Sequence, residues 1–139
     1  MIKSSGAIIY VNKKYLLQLR DKKKNIYYPG FWGVFGGLLE NNEEFKKGLE
    51  REVKEETNLS VSANKMVLSN NFIFFNHEKR ERKYFECKIL GKKKIILKEG
   101  KAYKFFSFEQ IKKLNVVPLD FAAIHYHFLS TVKKRTYLP

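Results

Sequence analysis

Seven of the chain's fourteen acidic residues (Glu40, Glu43, Glu44, Glu50, Glu52, Glu55 and Glu56) lie between Gly37 and Leu59. Only four basic residues share that window, which therefore carries −3 while the rest of the chain carries +17. A solvated helix face laced with Glu–Lys pairs is the ordinary explanation for such a run. A helical wheel argues otherwise. At about 100° per residue, with Phe45 at zero, Leu49 falls near 40° and Val53 near 80°, an apolar stripe that faces a core. On the same wheel Glu52 falls near −20°, Glu56 near 20° and Glu55 near −80°. The last turns thus put glutamates in the sector that the first turns use for packing. Crowded, partly desolvated carboxylates repel one another and need a cation. Arg51, four residues before Glu55, supplies one. It does not neutralise three, and a hard divalent ion with oxygen ligands, Mg²⁺ or Mn²⁺, would.

Strands and helices must hold that turn in place. Ala7–Val11 and Tyr15–Leu19 read as strands joined at Asn12-Lys13, and the breaker Pro29-Gly30 precedes an apolar run, Phe31–Phe35, that ends in Gly36-Gly37. Asn41 or Asn42 is the expected N-cap of a helix running to about Thr57. Lys65–Phe75 and Arg82–Leu90 are expected to pair around a polar turn, Asn76–Lys79, with a short strand at Ala102–Phe106. A short helix near Phe108–Leu114 and a last one over Leu119–Val132, with Pro118 at its start, complete the order. Strands interleaved with a few helices imply an α/β domain with a mixed sheet.

The spacing of the acidic window resembles the Nudix box, which reads Gly, five residues, Glu, seven residues, then Arg-Glu-apolar-any-Glu-Glu-any-Gly-apolar. Gly37, Glu43 and Arg51-Glu52-Val53-Lys54-Glu55-Glu56-Thr57-Asn58-Leu59 match eight of the nine specified positions. Trp32–Gly37 resembles the segment that precedes the box, with Phe35 where a proline is common. Asn58 replaces the usual glycine, and asparagine is the next best residue for a left-handed helix end. The resemblance implies the Nudix fold, an α/β/α sandwich around a mixed sheet, over a single domain spanning 1–139. It also implies Mg²⁺- or Mn²⁺-dependent hydrolysis of a nucleoside diphosphate linked to another group. Carried over by motif position, Glu52, Glu55 and Glu56 resemble the metal-binding carboxylates and Gly37 the glycine whose carbonyl assists them. Arg51 resembles the residue that orients the glutamates, and Glu43 a structural one. Glu55 or Glu56 could be the general base, and Glu99, before the Tyr103–Phe106 strand, is an auxiliary candidate from outside the box.

Composition bounds the rest. The 139 residues, 44% hydrophobic and 15% aromatic, fit one domain with a true core. No apolar run reaches the roughly 20 residues of a membrane span, and no signal-peptide core opens the chain, so a cytoplasmic protein without a membrane partner is expected. Cys87 is the one cysteine, which rules out an internal disulfide. The net charge of +14 invites a nucleic-acid reading, but 23 of the 28 cations are lysine, and phosphate or base recognition leans on arginine forks. The expected substrate is a small nucleotide, a nucleoside triphosphate or nucleotide sugar. Hydrolysis of RNA 5′-diphosphate linkages and a non-catalytic nucleic-acid-binding module are the alternatives, and a homodimer is compatible with the sequence. Arg20, Tyr28 and Trp32 are candidate substrate contacts. His77 reads as a turn residue, His125 and His127 as ordinary helix residues, and Cys87, Phe72, Phe74 and Phe75 as packing.

Overall fold

The computed structural model describes residues 1–22, 27–91, 94–97 and 102–132. In chain order the strands are β1 (Ile2–Val11), β2 (Lys14–Leu19), β3 (Trp32–Gly33), β4 (Gly36–Leu38), β5 (Ser60–Val61), β6 (Val67–Asn76), β7 (Glu78–Cys87), β8 (Ile89–Leu90) and β9 (Ala102–Phe106). The helices are α1 (Phe45–Thr57), α2 (Phe108–Ile111) and α3 (Pro118–His127), which continues as a π-helical turn over Phe128–Val132. The main sheet runs β3-β2-β1-β7-β6, with β4 beside β1 and β9 beside β2. β1 and β7 are parallel and the other pairs antiparallel, so the sheet is mixed.

Alternation along the strands sends successive side chains to opposite faces and builds two cores. Ala7, Ile9, Leu16, Phe35 and Phe85 meet Leu49 and Val53 of α1 on one face. Ile8, Tyr15, Leu17, Val34 and Tyr84 meet Ile111 of α2 and Ala123 and Ile124 of α3 on the other. Helices cover both faces of the sheet, the α/β/α arrangement that the family resemblance implied.

The turn at Asn12-Lys13 is observed, with φ of 51° and 62°, the geometry of a two-residue hairpin loop whose twist suits the flanking strands. Several boundaries differ from expectation for tertiary reasons. β1 begins at Ile2 because Ile2–Ser5 pair with Arg80–Lys83 of β7, although Lys3, Ser4 and Ser5 show no strand-like apolar alternation. The polar turn expected over Asn76–Lys79 narrows to His77 alone, at φ 68°, with Asn76 opposite Glu78. Lys65 belongs to a 3₁₀ turn, Ala63–Lys65. The N-cap of α1 is Glu44, not Asn41 or Asn42; its side chain makes no capping bond, and Asn42 sits in the preceding turn at φ 63°. Ser107 and Gln110 form a reciprocal capping box on α2, and Pro118 opens α3.

The phenylalanines expected as packing divide three ways. Phe72 packs edge-on against Tyr84, Phe74 lines a cavity, and Phe75 is 77% exposed. β6 is the outer strand of the sheet, so only its inward face is covered. Cys87 is buried, and burial pushes its thiol up to about 12, so it remains protonated and packs. His127 is buried too, with Nδ1 2.7 Å from the Tyr15 hydroxyl and Nε2 3.2 Å from Glu86, while His125 stacks on Phe108. Among the described residues no helix is long and apolar enough to cross a membrane.

Candidate active site

α1 places the acidic turn, and its C-terminus is closed by Asn58 in the left-handed region (φ 64°, ψ 5°), whose N–H reaches the Lys54 carbonyl at 2.9 Å. The asparagine in the glycine position therefore does what that position requires. Leu49 and Val53 anchor the helix to the sheet and leave Arg51, Glu52, Glu55 and Glu56 around the rim of the same end.

Arg51 ties three carboxylates together by hydrogen bonds. Its Nε and Nη2 make a fork on Glu43 at 2.8 and 2.9 Å, and Nη1 donates to Glu52 and to Glu55 at 3.1 Å each. The guanidinium holds the Glu43 carboxyl down at about 2, with the Glu40 backbone N–H contributing, while the same hydrogen bonds raise the Arg51 pKa further. Glu43 thus anchors Arg51, and Arg51 orients Glu52 and Glu55.

Glu56 is only 9% exposed. Its Oε1 accepts the Gly36 N–H at 3.1 Å, and its Oε2 lies 3.5 Å from Gln18 Nε2. Gly36-Gly37 makes this approach feasible. Gly36 has φ +149°, and a Cβ there would lie 2.1 Å from the Ser5 carbonyl oxygen. A Cβ on Gly37 would meet the Glu52 carboxylate, with Cδ at 2.7 Å and both oxygens at 2.9 Å. The missing side chain is the space that the Glu52 carboxylate fills.

Glu56, Gly36 and Gly37 open on a cavity of about 1030 Å³, at the upper end of small-molecule sites. Its walls include Gln18 of β2 and Arg20 just after it, Tyr27 and Tyr28, Phe74 and Asn76 of β6, Arg80, Arg82 and Tyr84 of β7, and Asp120 of α3. Asp120 accepts the Val34 N–H at 3.0 Å through Oδ2 and the Tyr84 hydroxyl through Oδ1. Arg82 donates to the Tyr84 oxygen at 2.8 Å and lies 3.6 Å from Asp120. Burial, with the Asp120 charge adding, raises the Tyr84 phenol above its ordinary range. It stays a neutral donor to Asp120.

Of the residues expected at the site, Glu52, Glu55, Glu56, Arg51 and Gly37 come together at one end of α1. Arg20 and Tyr28 line the cavity. Trp32 does not: its ring packs edge-on against Phe106 at 4.8 Å, within the second core. Glu99 lies outside the described residues. Phe74, expected as packing, joins the cavity wall, and Gln18, Arg80, Arg82, Tyr84 and Asp120 escaped the sequence reading. Two signals pointed to them, the i, i+2, i+4 series Arg80, Arg82, Tyr84 and a lone carboxylate in the otherwise apolar first turn of α3.

The donor set suits a hard divalent cation, being all oxygen, with Glu52 seated in the cradle over Gly37. As placed, no three His, Cys, Asp or Glu among the described residues converge on one ion, because Arg51 draws Glu52 and Glu55 toward itself.

Comparison with known proteins places this arrangement. The NUDIX domain family model matches residues 2–131. An 8-oxo-dGTP diphosphatase of Buchnera aphidicola subsp. Schizaphis graminum is 29% identical over 120 residues, covering 86% of this chain and 87% of that protein. The solution structure of the E. coli ORF135 protein superposes with a TM-score of 0.77 at 20% identity, covering 96% of this chain and 93% of that one. A NUDIX hydrolase from Nitrosomonas europaea superposes with a TM-score of 0.76 at 20% identity, over 92% and 88%. With the family model spanning nearly the whole chain, and with Gly37 and Glu56 of the box lining the cavity, the protein belongs to the NUDIX family.

Proposed function

We propose that this protein is a Mg²⁺- or Mn²⁺-dependent hydrolase that cleaves the diphosphate linkage of a nucleoside triphosphate or a related small nucleotide. The observation that carries the reading is Glu56, a buried carboxylate held on the Gly36 N–H that opens on a cavity also lined by guanidinium groups and aromatic rings. The similarity to an 8-oxo-dGTP diphosphatase favours triphosphates over nucleotide sugars.

Glu52, Glu55, Glu56 and the Gly37 carbonyl would hold the metal, which supplies neutralisation of the diphosphate charge and a bound water of lowered pKa. The chain supplies the rest. The Gly36 N–H fixes the Glu56 carboxylate at the cavity edge. Arg51 holds Glu52 and Glu55 through one shared nitrogen, from which they could turn to a metal. Glu56, facing the cavity, and Glu55, 57% exposed at its side chain, are the two candidates to take the proton from the attacking water. Arg20 and Tyr28 border the space in which the nucleotide lies.

The test is a Mg²⁺-supplemented hydrolysis screen over nucleoside triphosphates, nucleotide sugars and dinucleotides with the wild type, E55Q and E56Q. Turnover is expected to disappear with a chelator and return with Mg²⁺ or Mn²⁺. It should fall by about 10²–10⁴-fold in E56Q while the circular dichroism spectrum is retained. Full activity in both variants would refute the reading.

A further inference from the structure

Arginine is rare in this chain and lysine common, five against 23. Three of the five arginines, Arg20, Arg80 and Arg82, nevertheless line the cavity, and none of the described lysines does. Arg82 is fully engaged, with Nε on the Tyr84 hydroxyl, Nη1 3.3 Å from the Ser5 carbonyl and Nη2 3.6 Å from Asp120. Arg80 is not. Among the described residues its one hydrogen bond is a long one, Nε to the Asn76 carbonyl at 3.4 Å, and it forms no ion pair with any of them. The donors at both Nη atoms meet no acceptor among the described residues, on a half-buried side chain in the cavity wall.

Strand geometry places Arg80 away from the carboxylates. Tyr84 is in register with Gly6, and Gly6 with Gly36, whose N–H holds Glu56. Arg80 stands four residues earlier on the same face of β7, about 13 Å along the strand. It faces Phe74 directly across the β6–β7 pair, with Asn76 next to Phe74 on the same face. This arm of the cavity therefore offers an aromatic face and an unspent guanidinium fork to the part of the ligand remote from the diphosphate. A partly desolvated fork of this kind binds phosphate best, through two parallel charge-assisted hydrogen bonds. Of the three carboxylates in the cavity wall, Glu56 and Asp120 are held by other donors; Asp21, adjacent to Arg20 in the chain, tempers the field on the Arg20 side.

We propose that Arg80, with Asn76 and Phe74, forms a second phosphate subsite, so that the preferred substrate carries a phosphate on the 3′ side of its sugar in addition to the diphosphate that is cleaved. The proposal rests on the hydrolase reading above. A 3′-phosphorylated mononucleotide and the first phosphodiester of an RNA chain present the same chemistry, and the experiment separates them.

The catalytic efficiency kcat/KM is measured with Mg²⁺ for a nucleoside triphosphate, for the same nucleotide bearing a 3′-phosphate, and for a 5′-triphosphorylated dinucleotide. The wild type is expected to favour one or both 3′-substituted substrates by about tenfold or more. The ratio should fall to about one in R80Q and keep an intermediate value in R80K. A preference confined to the mononucleotide assigns the subsite to a terminal phosphate, and one confined to the dinucleotide assigns it to the chain. Equal efficiencies in the wild type, or a preference that survives in R80Q, overturn the proposal. If none of the three is hydrolysed, the hydrolase reading fails by itself. The subsite is then decided by thermal unfolding with a nucleoside 3′,5′-bisphosphate, which should stabilise the wild type by several degrees and R80Q by much less; equal shifts overturn it.

Discussion

Arg51 contacts more carboxylates than any other cation described in the chain, and its bonds differ in kind. The fork on Glu43 is bidentate and partly buried, whereas Glu52 and Glu55 share the single nitrogen Nη1. The first is a fixed anchor and the second a pair of hinges, which is what a site must have if its carboxylates turn from an arginine to an incoming metal ion. The anchor also carries a pH signature. Glu43 has its folded-state pKa lowered from 4.5 to about 2, chiefly by the Arg51 hydrogen bonds. A lowered carboxyl pKa contributes stability that is complete above the unfolded value and is lost as pH falls through the folded one. The wild type should therefore lose stability relative to E43Q between about pH 4.5 and 2, with the two converging at the acid end. Urea midpoints measured across that range check it, and parallel curves would show that the Glu43–Arg51 fork contributes nothing to folding.

At the scale of elements, α1 both packs and presents chemistry, and its end is the point where the two demands meet. The helix cannot simply run on past Thr57, because Leu59 and Val61 must drop into the first core. Asn58 makes that turn in the left-handed region. Residues other than Gly, Asn and Asp pay about 1–2 kcal/mol for that conformation. N58A is accordingly expected to lower unfolding free energy by about 1 kcal/mol, with N58G within about 0.5 kcal/mol of the wild type, as read from denaturant midpoints. The acidic turn was legible in the sequence because its spacing is local: four residues on one helix end carry both the charge and the periodicity. The far wall of the cavity was not. Arg80 and Arg82 enter through the parallel pairing of β1 with β7, and Asp120 reaches Tyr84 from 36 residues away. Trp32 misled for the converse reason. It stands close to the box in sequence, but its strand turns the ring toward Phe106. Nearness along the chain predicts shared chemistry only while one element carries it.

At the scale of the molecule, the charge distribution has a kinetic consequence. The chain carries +17 around a window of −3, and that window meets the cavity through Gly37 and Glu56. A metal-loaded site would lose its local negative charge, leaving a positive field directed over the cavity mouth. Such a field raises the encounter rate of polyphosphate anions without distinguishing among them, since exposed lysines act as strongly hydrated point charges. Discrimination then falls to the arginines in the cavity wall, which are partly shielded from salt. The two contributions are separable because the Debye length shortens from about 30 Å at 0.01 M salt to about 8 Å at 0.15 M. Efficiency toward a nucleoside triphosphate is expected to fall several-fold or more over that range, carried mainly by KM. The ratio between two nucleotides of equal charge should stay nearly constant. Steady-state kinetics at fixed free Mg²⁺ and varied KCl measure both quantities, and an efficiency independent of salt would mean that the lysine-rich surface plays no part in capturing substrate.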